Sequence, residues 1–234
     1  MRSLRPQPDH LAIAGLALLA VVFWGNCLCG GKVPVAAVYQ KQMLPWSAVS
    51  AAGGETRQWD SLLWDSMAQF YPWRVLLHNA GKQGQLPLWN PYQFCGYPFV
   101  GNGQSAMFYP PNWLYFLIHP RIGMGLSAAL HFFLGSLFVF GLARIWRLST
   151  IPATFAAIAF AYGGFMVTWI ELPTLVNSLI WLPLAWWGIE VICRSEGPSF
   201  GRPAVSPLPE GPHAEPYPAS GPLATTGPSS TPPT

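Results

Sequence analysis

The sequence predicts an all-α integral membrane protein. It should have about four transmembrane helices, a long outer loop carrying amphipathic helices on the membrane surface, and a disordered tail. Three observations predict this. Of 234 residues, 51% are hydrophobic and only 9% are charged, whereas a soluble domain has about a quarter of its residues charged. Four apolar stretches reach the length of about 20 residues that a helix needs to cross the hydrocarbon. From Ser195 the composition switches abruptly to Pro, Gly, Ser and Thr.

The first stretch, "LAIAGLALLAVVFWGNCLC" (11–29), follows Arg2 and Arg5. A secretory signal begins in the same way. However, no A-x-A site follows, and "WGNC" matches a lipoprotein cleavage box poorly, so an uncleaved anchor is expected. The other stretches are "IGMGLSAALHFFLGSLFVFGLARIW" (122–146), "IPATFAAIAFAYGGFMVTWI" (151–170) and "TLVNSLIWLPLAWWGIEVIC" (174–193). Pro183 lies inside the last and is expected to kink it. Arg2 and Arg5, Arg144 and Arg147, and Arg194 and Arg202 all fall on one side of these spans. Basic residues near span ends mark the cytoplasmic side, so both termini are expected there. Residues 30–121 then form one long outer loop, and the turn at Glu171 to Thr174 a short one.

Two domains follow: a membrane domain over 1–194 and a tail over 195–234. The tail has almost no aliphatic cluster to bury, so disorder is expected. The net charge of +3 and the scattered basic residues point away from nucleic acid, and membrane lipid is the partner expected from the apolar spans. Cys27, Cys29, Cys95 and Cys193 form neither CxxC nor a Cys/His zinc spacing. The first three could meet on the outer face as a disulfide, or all four could be packing residues. No metal-ligand set and no cofactor motif is visible. A transporter would place polar groups and broken helices at mid-membrane, where these spans offer little beyond His131 and Pro183.

In the outer loop, "WDSLLWDSMAQFYPWRVLLHNAGKQG" (59–84) has helical periodicity, with Leu63, Met67 and Phe70 on one stripe. Pro72 should kink this helix or begin a second one, and Gly81 should stop it. Such a helix is expected to lie in the interface plane. A second surface piece is "PPNWLYFLI" (110–118). Asp65 and Gln69 are four apart and share a face, as do Arg74 and His78, while Asp60 and Asp65 are five apart and do not. One acid with an amide neighbour, followed by basic groups at the lipid surface, could deprotonate an acceptor hydroxyl and stabilise a phosphate leaving group. The plainer reading is that Asp65 caps a surface helix while Arg74 and His78 touch lipid headgroups. "LPLWNPYQFCGYPF" (86–99) reads as a rigid folded loop because of its prolines and aromatic residues. Its Trp89, Tyr92, Phe94 and Tyr97 present flat faces suited to headgroups or sugar rings, or only to packing on the membrane.

Together, "DSMAQFYPWR" and "GQLPLWNPYQFCGYPFVGNGQSAMFYPPNWLYFL" resemble the first outer loop of the YfhO-type bacterial membrane proteins, and "NSLIWLPLAWWGIE" resembles that family's fourth span. The family is similar to the GT-C class of membrane glycosyltransferases. The resemblance implies sugar transfer from a polyprenyl-phosphate sugar donor to an outer-face acceptor, at the bacterial inner membrane. It implies Asp65 as catalytic base with Asp60 as fallback, Gln69 as its orienter, and Arg74 and His78 near the phosphate. Trp89, Asn90 and Tyr92 of the signature loop and Glu171 of the second outer turn complete the expected substrate contacts. Relatives have many more spans, and here the likeness stops after the fourth. A truncated fragment, or a partner supplying further spans, is therefore expected. The alternative is a non-catalytic membrane scaffold or lipid-binding protein.

Overall fold

The structure, a computed structural model, describes residues 9–29, 31–49 and 59–195. Arg2, Arg5, Arg202 and the expected disordered tail beyond Ser195 lie outside the described residues. The regular elements among the described residues are helical apart from one two-stranded hairpin.

Helix α1 (Asp9–Phe23) is interrupted at Trp24 and resumes briefly as α2 (Gly25–Leu28). The expected first span is thus not one long helix. The 15 residues of α1 rise about 22 Å, short of the roughly 30 Å of a bilayer core. Three stretches are long and apolar enough to cross a membrane: Pro120–Ile145, Thr150–Trp169 and Pro173–Arg194.

Two of the three are broken. Residues 150–169 form α8 (Thr150–Ala161) and α9 (Gly164–Trp169), parted at Tyr162–Gly163. Residues 173–195 form α10 (Pro173–Leu179) and α11 (Trp181–Ser195), parted at Ile180. The second break has a clear cause. Pro183 has no N–H to return to the carbonyl four residues back, at Leu179, so the ladder opens there. The kink expected at Pro183 is this break, whereas the break at Tyr162–Gly163 has no forewarning in the sequence analysis.

The unbroken helix α7 (Pro120–Ile145) runs through the centre of the fold. Ala153, Ala157 and Ala161 of α8 recur every fourth residue and are fully buried. Small side chains at that spacing let two helix backbones approach closely. Ala153 and Ala157 join Leu16 of α1 and Phe140 and Ala143 of α7 in one cluster. Trp24, Phe132, Met166, Val176 and Ile180 form a second. At one end, Arg144 Nε of α7 meets Asp9 Oδ2 at 3.0 Å, and the Thr150 hydroxyl donates to Asp9 Oδ1 at 2.8 Å. The start of α1 and the α7–α8 turn therefore share that end.

The outer-loop residues form a third core. Trp46–Val49 is a single helical turn, α3. Next come α4 (Ser61–Asp65), a π-helical turn over Ser66–Phe70, and α5 (Tyr71–Lys82). The strands β1 (Trp89–Asn90) and β2 (Tyr97–Pro98) pair antiparallel, with Trp89 opposite Pro98. Beyond them a 3-10 turn leads into α6 (Leu114–Leu117). Phe70, Trp73 and Leu77 are buried against Phe99, Met107, Tyr115, Met124 and Leu172. The buried stripe is therefore not Leu63–Met67–Phe70, because the π turn adds a residue and rotates the face that follows. Nor does α5 lie open on one side, since residues 97–124 close over it. Gly81 does not stop this helix. A Cβ there would meet the Phe116 carbonyl oxygen at 2.6 Å, so glycine is what lets α5 abut the α6 backbone.

Candidate functional site

The π turn places the first pair of residues. Gln69 Nε2 donates to Asp65 Oδ1 at 2.8 Å, so the two share a face as their spacing predicts. Both are half-buried. The bond holds one carboxylate oxygen and does not use the other, Oδ2, which could accept a proton from a substrate hydroxyl. Gln69 also lines an open cleft of about 460 Å³ with Trp73, Phe94, Tyr97, Pro98 and Asn102. Asp65 adjoins this cleft through Gln69.

The cleft wall is fixed by a residue the sequence reading passed over. Gln93 donates to the Ala68 carbonyl at 2.6 Å, and its Oε1 accepts from Trp73 Nε1 at 3.0 Å and from Asn90 Nδ2 at 3.1 Å. An amide has two donors and two acceptor lone pairs, and Gln93 uses both ends to tie the hairpin to the π turn. Nothing in the local sequence distinguishes it from any loop glutamine.

Asp60 has a different task. Its Oδ1 accepts from Leu62 N at 2.9 Å and from Leu63 N at 3.3 Å, so Asp60, not Asp65, is the N-cap of α4. Asn90 is buried and serves the loop itself. Its Oδ1 accepts from Tyr92 N at 3.0 Å and its Nδ2 reaches the Tyr97 hydroxyl at 3.2 Å, an Asx turn that starts the reversal. Phe94, Cys95 and Gly96 then all adopt positive φ. At Gly96 a Cβ would strike the Trp89 indole at 2.8 Å, so that position requires glycine. Trp89, Tyr92 and Phe94 are exposed.

Arg74 and His78 share a face, as expected, but it is not a lipid surface. They are 1% and 4% exposed. Arg74 Nη1 donates to the Ser105 carbonyl at 2.6 Å, and its guanidinium carbon sits 5.1 Å from the centre of the Tyr115 ring. His78 Nδ1 contacts the Tyr115 carbonyl at 3.1 Å. Residues 97–118 fold back over α5 and remove both side chains from the surface where a phosphate was expected. Burial pulls the Arg74 guanidinium below its ordinary range, with Tyr115 opposing. Burial raises the Tyr115 phenol, which Arg74 opposes in turn. Among the described residues, Arg74 Nε and Nη2 have no hydrogen-bond partner.

Glu171 sits half-buried in the turn before α10 and does not line the cleft beside Gln69. His131, inside α7, is fully buried and bonded at both nitrogens: Nδ1 lies 2.6 Å from the Ser127 carbonyl and Nε2 lies 2.9 Å from the Tyr109 hydroxyl. Cys27, Cys29, Cys95 and Cys193 are free thiols, so the disulfide reading is corrected. Among the described residues no three His, Cys, Asp or Glu side chains gather as a metal would require. The site as built thus offers a carboxylate held by an amide beside an aromatic cleft, while Arg74 and His78 are buried against Ser105 and Tyr115. Comparison with protein-family models, with curated proteins and with solved structures finds no match for the chain.

Proposed function

We propose that the chain is a multi-pass protein of the bacterial inner membrane, of the YfhO type and GT-C-like. Its activity would be transfer of sugar from a polyprenyl-phosphate carrier to an outer-face acceptor. The observation that carries this reading is the 2.8 Å bond from Gln69 to Asp65 at the edge of the aromatic cleft. Asp65 is the base that takes the acceptor's proton, and Gln69 positions it. Tyr97 and Phe94 in the cleft wall supply faces on which a sugar ring can stack. Three apolar stretches of membrane-crossing length support membrane residence. So do the large side chains exposed on the helices, among them Leu18, Val22, Phe155, Leu182, Trp186 and Ile189. The end shared by Asp9, Arg144 and Thr150 is assigned to the cytoplasm, where the flanking arginines belong. A partner supplies the further spans that would complete a groove for the lipid carrier. Arg74, being buried, acts on the fold rather than directly on the donor phosphate.

The test is sugar transfer from a lipid-linked donor by membranes containing the chain together with its further spans. Asp65→Asn is expected to lower transfer by about a hundredfold to ten-thousandfold with insertion intact. Full activity in that variant would reject the reading.

A second reading, a non-catalytic lipid-binding or scaffold protein, is favoured by the exposed rim of Trp89, Tyr92 and Phe94. Aromatic side chains of this kind anchor loops at a membrane interface. Under it, Asp65→Asn changes nothing, and replacing the three rim residues with serine releases the loop from lipid.

A further inference from the structure

The far end of α5 and the first turn of α7 bring four basic side chains together. His78 and Lys82 are four apart on α5 and share a face, and Gly81 between them lets α5 abut the backbone at Phe116. There the buried His78 ring stands edge-on to the His119 ring, with centroids 5.2 Å apart. His119 Nδ1 accepts from Arg121 N at 3.2 Å, so the neutral imidazole carries its hydrogen on Nε2. Arg121 is fixed in turn, since its Nε donates to the Gly31 carbonyl at 3.4 Å. Lys82, His119 and Arg121 are exposed, and none of them makes an ion pair among the described residues. The His119 imidazole is held below its ordinary 6.5, first by desolvation and then by the positive charge of His78, Lys82 and Arg121. No described acid offsets that charge. The N-terminus of α7 adds a partial positive charge of its own.

The place of this cluster points to its ligand. From Arg121 to Arg144 the unbroken α7 rises about 35 Å. A bilayer has a hydrocarbon core of about 30 Å and spans about 40–45 Å with its headgroups. Cations at the two ends of α7 therefore fall at the levels of the two layers of lipid phosphate. Next to the cluster the exposed side chains turn apolar. Leu117 is 86% and Ile122 49% exposed, and Trp113, one turn before Leu117, is exposed as well. Cations beside large apolar side chains match a molecule that is anionic at one end and hydrocarbon at the other. A soluble anion would use only the first half. Nor does the cluster serve Asp65. It lies roughly 20 Å or more away along the continuous helix 61–82, whereas a base acts within hydrogen-bond reach.

We infer that this cluster binds an anionic phospholipid, its headgroup phosphate taken by Lys82, Arg121 and His119 Nε2 and its acyl chains laid against Leu117 and Ile122. An ammonium and a guanidinium give a phosphate short, charge-assisted hydrogen bonds. A zwitterionic headgroup brings a cation of its own and gains less from them. Bound there, the lipid ties the outer-loop core, through α5 and α6, to the membrane end of α7. The site depends on the membrane residence proposed above and not on sugar transfer.

The experiment uses the full chain in nanodiscs of phosphatidylcholine that hold a trace of phosphatidylglycerol with a photoreactive diazirine near its headgroup. On the unaltered chain, illumination should label residues 78–82 and 117–122, which keeps the test decisive if a variant fails to fold. Unlabelled phosphatidylglycerol in about tenfold excess over the probe should cut that labelling by about fivefold or more. The same excess of phosphatidylcholine or of inorganic phosphate should leave it within about twofold, and polyprenyl phosphate should compete less than phosphatidylglycerol. Lys82→Gln combined with Arg121→Gln should lower labelling by about tenfold or more, while Lys82→Arg with Arg121→Lys, which keeps both charges, should retain it. Equal suppression by phosphatidylcholine or inorganic phosphate would overturn the inference. So would stronger suppression by polyprenyl phosphate, labelling confined elsewhere, or full labelling of the folded Gln variant. A chain washed from membranes by carbonate overturns the membrane reading and this site with it. A chain that inserts and shows no such preference overturns this site alone.

Discussion

Gln93 donates its side-chain amide to the carbonyl of Ala68, 2.6 Å away, the carbonyl to which an N–H at position 72 would have turned. Position 72 is proline and has none. The gap that Pro72 opens in the helix is thus the docking point of the signature loop. One proline in α5 and one glutamine 21 residues later join two segments that are remote in sequence.

Gln93→Leu should therefore cost about 2–3 kcal/mol, since it strands the Ala68 carbonyl and the Trp73 indole N–H together. Thermal unfolding in nanodiscs reads the loss, and limited proteolysis should show cleavage moving to the 86–99 hairpin. An unchanged midpoint and cleavage pattern would mean that Gln93 does not hold the loop.

Asp60 and Asp65 should separate into a stability residue and an activity residue. Asp60→Ala removes the cap of α4 and should cost about 1 kcal/mol, whereas Asp60→Asn, itself a good cap, should cost only a few tenths. Neither should change the sugar-transfer rate of the folded protein by more than about twofold if proton transfer belongs to Asp65. Transfer rates normalised to inserted protein, with unfolding curves for the same variants, check both halves.

Gly81→Ala should be destabilising although alanine favours helix, because its Cβ would meet the Phe116 backbone at 2.6–3.0 Å. Overpacking against backbone costs about 1–3 kcal/mol. Gly84→Ala is the control, with nothing within 4 Å of its added Cβ, though its φ of +64° makes it mildly unfavourable. A larger loss at position 84 than at 81 would show that α5 does not rest on α6 as described.

The Asp9 carboxyl is held below its usual value of 3.8 by the Thr150 hydroxyl first and the Arg144 guanidinium second, against desolvation. A depressed acid adds stability that is present above its unfolded value and lost as pH falls through the folded one. The two side chains of the ion pair are 32% and 40% exposed, so solvent screening keeps the pair's worth below about 1 kcal/mol. The melting temperature of Asp9→Asn should lie slightly below that of the parent at pH 7, and the gap should close as pH falls below about 3.8. A gap that widens on acidification would contradict this.

The sequence alone determined what depends on runs of residues and on short spacings. Three of the four apolar stretches are helical over a membrane-crossing length, two of them with a break, and the Asp65–Gln69 pair four residues apart forms its hydrogen bond. Pro183 interrupts its helix because a missing N–H acts locally. Tertiary structure alone decided which faces are covered. Arg74 and His78 lie on an exposed-looking polar stripe in sequence, but residues 97–118 return over them, and no local window contains that return. The same applies to Asn177, a polar residue in an apolar stretch whose carbonyl accepts from the hydroxyl of Tyr109, 68 residues away, at 3.4 Å. A side chain's chemistry is written in the sequence. Its dielectric surroundings and its partners are set by whatever segment folds against it, and here that segment comes from the loop.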